Sequence, residues 1–164
     1  MREITVHDIK DNFVDLISRE WALIAAGDES GYNMMTASWG GFGEMWGKDV
    51  AVAVIRPQRC TYGFMEKNDM FTMSFYGDNK DVHAVCGKRS GRDCDKAKEA
   101  GLDPVFTDST VTFRQARLTL VCRKLYAQDI DEKCFVDRSL IDKWYNGDFH
   151  RAYVGEIVKV LIGD

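Results

Sequence analysis

A run of small residues between large apolar ones is the first candidate for chemistry in this chain. The run is NMMTASWGG, at residues 33–41. Thr36, Ala37 and Ser38 have short side chains, and two of them carry hydroxyl groups. Short side chains would let a flat ring approach the main chain, while Met35 and Trp39 would offer it apolar surface. The same residues would also suit a protein core, so the run indicates either packing or a site for an aromatic ligand.

Two groups of basic residues lie beside predicted turns. Guanidinium and ammonium groups, together with free backbone N–H groups at glycine turns, are what a phosphate monoester needs. Each residue alone is equally well explained as a solvated surface charge. Two groups near a run of hydroxyl residues favour a phosphorylated ligand. They are Arg56 and Arg59, which flank Pro57, and Lys88, Arg89 and Arg92, which surround Ser90 and Gly91.

The common catalytic and metal-binding motifs do not occur in the sequence. Without GxGxxG, GxxxxGK[ST] or GxSxG, a Rossmann site, a P-loop or a nucleophile elbow is not supported. His7, His83 and His150 are far apart, and none pairs with cysteine or histidine at metal-ligand spacing. We interpret His7 as a surface residue and His83 as structural, whereas His150 could face a ligand because it opens the last predicted strand. No catalytic residue and no metal ligand is assigned.

Length and composition indicate one globular domain over residues 1–164. The net charge of -4 argues against nucleic-acid binding. No apolar run approaches the roughly 20 residues of a membrane helix, and the N-terminus lacks the apolar core of a signal peptide, so we expect a cytoplasmic protein without membrane contact. The five cysteines have no CxxC spacing and are expected to be reduced thiols, with a redox role for Cys86 and Cys94 as the alternative.

Strand patterns alternate with short helix patterns along the chain. Six or seven strands with small helices between them favour an antiparallel barrel over a doubly wound parallel sheet. Asp8, Asp78 and Asp93 are expected to cap helices, and Gly101 to end one. Strands are expected in 21–28, 33–39, 49–56, 69–77 and 150–163, and 110–130 is expected to be one long strand or a hairpin pair. Helices are expected from residue 8, in 58–68 and in 137–146, and 78–101 is expected to form two short helices with a break at residues 88–92.

Four segments in chain order resemble those of flavin reductase-like proteins of the FMN-binding split-barrel class, close to the flavoredoxin type. NMMTASW resembles N-x-M-T-x-S-W, and IRPQRCTYGFMEKNDMFTMSF resembles R-P-x-R-x-T followed by a helix and a strand. CGKRSGRDCDKAKEAGL resembles C-G-x-x-S-G-x-x-x-D-K-x-x-x-x-G-L, and HRAYVGEI resembles an H-x(4)-G-E ending. The resemblance covers about residues 21–157.

This resemblance implies a mainly β fold with flanking helices, namely a six-stranded antiparallel split β-barrel that binds FMN near the interface of a homodimer. The contacts that it implies are Met35, Thr36, Ala37, Ser38 and Trp39 for the flavin ring and ribityl chain, Arg56, Arg59 and Thr61 for the phosphate or its surroundings, Lys88, Ser90 and Gly91 for a turn that closes over the cofactor, and His150 near the ring.

The activity implied is that of an NAD(P)H-dependent flavin oxidoreductase, in which a nicotinamide passes hydride to flavin N5 and electrons move onward. The cofactor carries this chemistry, which explains why no catalytic constellation is needed. Two alternatives remain open. One is an FMN-bound electron carrier that a partner protein reduces, and the other is a non-enzymatic split-barrel domain that binds a partner but no flavin.

Overall fold

The computed structural model describes residues 1–163. In that range it contains ten strands, five short α-helices and three turns of other helical type. The strands are β1 (Arg2–Ile4), β2 (Ala22–Asp28), β3 (Gly31–Ala37), β4 (Gly40–Met45), β5 (Lys48–Ile55), β6 (Met70–Phe75), β7 (Pro104–Thr107), β8 (Thr110–Phe113), β9 (Leu118–Asp129) and β10 (Arg151–Ile162). The helices are α1 (Phe13–Asp15), α2 (Cys60–Lys67), α3 (Asp81–Lys88), α4 (Lys96–Glu99) and α5 (Ser139–Trp144), with 3₁₀ turns at Val6–Asp8 and Glu132–Cys134 and a π-helical turn at Leu16–Glu20.

Eight of these strands form one antiparallel sheet, so the expectation of an antiparallel, mainly β fold is confirmed and the expectation of six strands is wrong. The order is β3-β2-β6-β9-β10-β5-β4, β1 adds to β10, and β7 pairs with β8 separately. Strand β4 lies outside the segments expected to be strands, because the glycines at 40, 41 and 43 are more typical of a turn. The turn itself is the pair Trp46–Gly47, whose φ values of 57° and 69° suit a two-residue hairpin loop.

The two ends of the sheet are β3 and β4, yet only Ser38 and Trp39 separate these strands in the sequence. Two connecting residues span about 10 Å at most, so the sheet must curl until its ends approach each other. No ladder joins β3 to β4 in residues 1–163, and the sheet is therefore open at this place rather than a closed barrel.

Strand β2 is buried on both faces and separates two apolar clusters. Ala22, Ile24 and Ala26 belong to the cluster inside the curled sheet. Leu23 and Ala25 point the other way, into a cluster that includes residues of α3, α4 and β8. Successive side chains of a strand point to opposite faces of the sheet, and this places neighbouring residues of β2 in different clusters. Because the second cluster lies under α3, the helix is held against the outer face of the sheet beside β3.

Local capping differs from expectation at three helices. Asn12, not Asp8, caps α1 and accepts a hydrogen bond from Val14 N at 2.9 Å. Asp95, not Asp93, caps α4 and accepts from Lys98 N at 3.1 Å. The residue before α3 is Lys80 rather than Asp78, because a turn around Gly77 with φ of 62° delays the start of that helix. Asparagine and aspartate are equally good caps, so composition alone does not choose among them.

Among residues 1–163, no helix is long and apolar enough to span a bilayer.

Candidate functional site

A groove of about 270 Å³ opens at the place where the two ends of the sheet approach without pairing, and we call it the Ser38 groove. Eight of its ten lining residues are among the flavin contacts implied by the sequence, and they come from segments up to 115 positions apart. The other two are Val54 and Trp144. The lining residues are Met35, Thr36, Ala37, Ser38, Trp39, Val54, Arg56, Arg59, Trp144 and His150.

A second, more apolar cleft of about 450 Å³ lies beside the groove and shares Ser38 and Trp39 with it. Residues of α1 and β4, including Val14 and Gly41, form its other walls. A Cβ atom placed on Gly41 would meet nothing within 4 Å, so the main chain of β4 is bare there. The second cleft lies within the volume range typical of small-molecule sites, and the groove that adjoins it lies just below that range.

One wall of the groove is aromatic and is centred on Trp39. The Trp39 ring lies 5.0 Å from the His150 ring and 5.1 Å from the Trp144 ring, which is perpendicular to it. Tyr145 stacks on Phe149 at 4.6 Å and joins the same cluster. These contacts fix the segment between β9 and β10 over Trp39, and they give the groove the apolar surface that a flat ring needs.

His150 is buried in this wall, and its Nδ1 lies 3.1 Å from the hydroxyl of Tyr145. Burial, with the nearby charge of Arg56, lowers the pKa of His150 to about 4, so the imidazole is neutral at pH 7. Burial also raises the pKa of Tyr145, which keeps its hydroxyl protonated. When Tyr145 donates to Nδ1, the proton of His150 lies on Nε2, an atom that has no hydrogen-bond partner within residues 1–163. In that tautomer His150 can donate to a ligand.

Arg56 is positively charged, but its charge is balanced inside the protein. Its guanidinium forms an ion pair with Asp148 and donates to the carbonyl oxygen of Trp144 at 2.9 Å. It also lies 5.4 Å from the ring centre of Tyr145. A backbone hydrogen bond from Asn146 and the Arg56 contact lower the pKa of Asp148 to about 2, so the carboxylate is ionised and the pair is neutral overall.

Arg59 differs, because it has no carboxylate partner within the described chain. Its guanidinium donates to the carbonyl oxygens of Gly87 at 3.1 Å and Cys86 at 3.3 Å, in the last turn of α3. A helix C-terminus attracts a cation but carries only a partial charge. Burial without an anion lowers the pKa of Arg59. The groove therefore contains one uncompensated, half-buried positive charge, which an anionic ligand group would stabilise.

Thr36 and Ser38 provide the hydroxyl groups of the groove. The Thr36 Oγ1 lies 3.0 Å from Nδ1 of His83, on α3. One turn further along α3, a Cβ atom placed on Gly87 would lie 3.4 Å from the Thr36 Cβ, so this glycine lets the helix pack closely on β3. Ser38 is exposed, and within residues 1–163 its hydroxyl has no partner. Both hydroxyl groups are in reach of a ligand in the groove.

No family model matches the chain, and no curated protein matches it. Solved structures do match. An FMN-binding protein from Thermus thermophilus with bound 1-cyclohex-2-enone is 22% identical with a TM-score of 0.67, over 99% of this chain and 80% of that chain. Flavoredoxin of Desulfovibrio vulgaris (Miyazaki F) is 18% identical with a TM-score of 0.68, over 88% and 69%. The FMN-binding domain of a flavin reductase-like enzyme from Shewanella baltica OS155 is 14% identical with a TM-score of 0.66, over 97% and 75%.

The chain has the fold of flavin reductase-like, FMN-binding proteins. The resemblance read from the sequence is confirmed at the level of this fold. The Ser38 groove also suits a flavin in its chemistry. An aromatic wall at Trp39 can pack on the ring, hydroxyl groups line one edge, and the unpaired Arg59 can meet a phosphate.

Four residues implied as flavin contacts do not line the groove in this flavin reductase-like fold. Thr61 is buried, and its hydroxyl lies 3.4 Å from Asn33 Oδ1. Gly91 packs on the same amide, since a Cβ atom there would lie 1.8 Å from Asn33 Nδ2. Lys88 is exposed, and Ser90 Oγ accepts from the backbone N–H of Arg92 at 3.2 Å. Their roles as cofactor contacts stay predictions.

The two basic groups predicted from the sequence are nevertheless neighbours. Arg59 reaches back to Gly87 at the end of α3, and Arg92 donates to the carbonyl oxygen of Gln58 at 3.1 Å. Their side chains thereby join the loop before α2 to the loop after α3. Most of their hydrogen bonds go to main-chain carbonyl groups of the protein itself, which the sequence could not indicate.

Beside this junction lies a pocket of about 280 Å³, which we call the Lys96 pocket; its lining includes Asn33, Met34, Gly91, Cys94 and Lys96. Lys96 is buried, and its ammonium donates to the carbonyl oxygens of Met34 and, at 3.5 Å, Cys86. Burial lowers the pKa of Lys96. Lys96 is the lysine of the D-K pair in CGKRSGRDCDKAKEAGL, the third segment that resembles the family. This match was the signal in the sequence that could have identified it as a residue of a polar pocket.

All five cysteines are free thiols. Cys86 is fully buried, and burial raises its pKa to about 11, so the thiol is protonated at neutral pH. A protonated, inaccessible thiol is a poor redox group. This favours the structural interpretation of Cys86 over the redox alternative.

Proposed function

We propose that this chain binds FMN in the Ser38 groove and acts as a flavin-dependent oxidoreductase. One observation carries the proposal. Eight residues that the sequence motifs implied as flavin contacts line a single groove, in a protein that shares its fold with FMN-binding proteins. A bound flavin supplies hydride and electron transfer, and the chain itself binds and orients it.

The residues of the groove have separate tasks in this proposal. Trp39 packs against the ring, and the short side chains of Ala37 and Ser38 leave the main chain open to the ring edge. Arg59 attracts the phosphate, whose charge is about -1.5 to -2 at neutral pH. His150 donates from Nε2 without changing its own charge, because its pKa of about 4 keeps it neutral at pH 7. None of these residues needs to act as an acid, base or nucleophile.

NAD(P)H is the reductant that we propose. The cleft next to the groove offers an apolar surface that includes Trp39 and Ser38 but not Arg59. A nicotinamide ring is flat and suits such a surface. Hydride transfer to flavin N5 would then need only close approach of the two rings.

Anaerobic titration of the FMN-loaded protein with NADH and with NADPH tests this function. Loss of the flavin absorbance near its visible maximum is the expected result with at least one of them. Bound flavin that neither nucleotide reduces would point to an electron carrier instead. A colourless protein that takes up no added FMN would contradict flavin binding altogether and favour a non-enzymatic binding domain.

The carrier alternative has an observation in its favour. Trp144 borders the groove and is 44% exposed. Exposed aromatic side chains are enriched where proteins meet. A redox partner protein could therefore dock at the mouth of the groove and exchange electrons with the flavin.

We also propose a homodimer. Val14, on the wall of the apolar cleft, is 72% exposed, and Trp46 lies on the adjoining hairpin. A second copy could cover these side chains and complete the wall of the cofactor site. Light scattering on the eluting chromatographic peak measures the mass directly, and a mass of one chain of 18.7 kDa at micromolar concentration would contradict the dimer.

A further inference from the structure

Thr36 contacts the Ser38 groove on one side and helix α3 on the other. Two residues of α3, His83 and Gly87, lie one turn apart and both approach its side chain. The Thr36 Oγ1 is 3.0 Å from His83 Nδ1, and the Cβ position of Gly87 is 3.4 Å from the Thr36 Cβ. Because Gly87 lets the helix approach β3 closely and Thr36 Oγ1 lies within hydrogen-bond distance of His83, the direction of the hydroxyl proton depends on whether His83 donates or accepts.

His83 is 4% exposed and its surroundings are mostly aromatic. The Trp21 ring lies 5.8 Å and the Tyr76 ring 6.1 Å from it, both edge-on. The Nε2 atom of His83 is buried without a hydrogen-bond partner, and so is the hydroxyl of Tyr76. Burial, followed by the charge of Lys80, lowers the pKa of His83 to about 4, whereas Glu20 opposes the shift. The imidazole is therefore neutral at pH 7 and carries one proton.

The position of that proton decides what Thr36 offers to a ligand. A proton on Nε2 would be a buried donor without an acceptor, which is rare in proteins. A proton on Nδ1 is donated to Thr36 Oγ1 and leaves only a lone pair at Nε2. Both forms leave Nε2 without a partner, but the Nδ1-protonated form leaves an unpaired acceptor there instead of an unpaired N–H donor, which is the rarer case in buried sites.

We propose that His83 is a positioning residue for the Ser38 groove: its Nδ1–H donates to Thr36 Oγ1, so that the Thr36 hydroxyl proton turns into the groove and is donated to an acceptor atom of the bound ligand. This rests on the proposed function, with FMN as the ligand. The acceptor is an oxygen or an unprotonated nitrogen of the flavin ring or ribityl chain. With the other tautomer Thr36 would donate to His83 and could only accept from the ligand.

A double-mutant cycle tests the coupling, with FMN and riboflavin titrated in parallel. Thr36→Val and His83→Phe should each weaken the binding of both flavins by about tenfold, the cost of one hydrogen bond. The double variant should bind no more weakly than Thr36→Val, because His83 acts only through the threonine. His83→Asn retains an amide donor and should stay within about threefold of the wild type.

A second measurement does not depend on any variant folding. The ¹⁵N chemical shifts of the His83 ring in the flavin-loaded protein at pH 7 distinguish the two tautomers. Protonation on Nδ1 is expected, and protonation on Nε2 would overturn the inference. The inference would also be overturned if Thr36→Val left flavin affinity unchanged. It would equally be overturned if His83→Phe weakened flavin binding by the same factor in the wild type and in the Thr36→Val variant. A wild-type protein that binds neither flavin would instead refute the proposed function, and the two failures are therefore distinguishable.

Discussion

The Ser38 groove and the Lys96 pocket have nearly equal volumes, about 270 and 280 Å³, and strand β3 contributes to both. Their polar groups are used differently. In the Lys96 pocket the side-chain amide of Asn33 donates to Cys60 Sγ at 3.0 Å and accepts from Met34 N at 2.7 Å. In the groove, Ser38 Oγ and His150 Nε2 have no partner within residues 1–163.

This difference separates a polar cluster that holds the fold from one that can hold a ligand. The hydrogen bonds of Asn33 and Lys96 bind the loop after α3 to β3, and few donors there are left over. Among residues 1–163, the groove keeps unpaired donors, Ser38 Oγ and His150 Nε2, beside an aromatic wall, whereas a cation without a carboxylate partner occurs at both cavities, Arg59 at one and Lys96 at the other. Free donors that converge on an open volume are what a binding site requires. Volume alone would not have distinguished the two cavities.

Filling the groove should have the largest effect on flavin binding. In a Ser38→Leu variant the larger side chain occupies the place proposed for the flavin, and we expect flavin affinity to fall by at least about a hundredfold, or roughly 3 kcal/mol. Because Ser38 is exposed, the melting temperature should change little. Fluorescence titration with FMN measures the loss.

Ser18→Leu is the matched control for this change. Ser18 lines the neighbouring apolar cleft but not the groove, and it is also exposed. Its replacement should leave flavin affinity within a few-fold. Unchanged affinity in Ser38→Leu would mean that the flavin binds elsewhere, and the contrast between the two cavities would lose its functional meaning.

A substitution in the Lys96 pocket should change the stability of the fold rather than the affinity for flavin. In Gly91→Ala the new methyl group would lie 1.8 Å from Asn33 Nδ2, so the amide must move and lose its hydrogen bonds. We expect a loss of about 2 kcal/mol in the free energy of unfolding, measured in urea. Gly63→Ala on helix α2 is the control, because a Cβ there meets nothing within 4 Å and alanine favours the helix by about 1 kcal/mol. Equal stability of the two variants would contradict the packing role of Gly91.

Arg59 lines the groove and bonds to the end of α3, next to the Lys96 pocket. Its replacement tests whether its charge contributes to binding the phosphate of FMN. Arg59→Met should weaken FMN binding about tenfold more than riboflavin binding, since only FMN has a phosphate. Any loss of α3 stability affects both flavins alike, so the ratio of their dissociation constants isolates the phosphate contact. Arg56, which already pairs with Asp148, should have a smaller effect on this ratio.

Arg92→Met provides the control for this measurement. Arg92 is exposed, donates to a main-chain carbonyl as Arg59 does, and does not line the groove. It should leave the FMN-to-riboflavin ratio unchanged. If both arginine variants changed the ratio equally, the phosphate would lie near the loop after α3 rather than in the groove.

Much of this arrangement could be predicted from the sequence because it is local. The valine alternation before Pro57 indicated β5, and the alternating large residues at 69–76 indicated β6. The motif at residues 33–39 indicated one side of the groove. Glycines obscured β4, since its segment GGFGEM has the composition of a turn and becomes a strand only by pairing with β5.

Other features depend on contacts between distant segments and left no local signal. The pairing of Arg56 with Asp148 joins residues 92 positions apart, and it decides that Arg56 is neutralised while Arg59 is not. Trp144 was missed as a lining residue for the same reason. Its helix was predicted, but only the folded chain brings its ring against Trp39.

The smallest expected effect is a pH dependence of stability from the groove side. The pKa of His150 is about 4 in the folded protein and 6.5 for the free side chain, so the unfolded chain takes up a proton first as the pH falls. Stability is therefore fully present above pH 6.5 and declines below it. Between pH 6.5 and 5.5 this amounts to about 1 kcal/mol for the histidine. His83 adds a contribution of the same sign.

Urea unfolding at several pH values in this window measures the slope, and His150→Gln should lower it by about half. The Lys96 pocket contains no histidine, so the slope reports the groove side of β3. A wild-type slope that His150→Gln leaves unaltered would mean that His150 gains its proton as easily in the fold as in water. It would then not be the neutral donor at Nε2 that the groove requires.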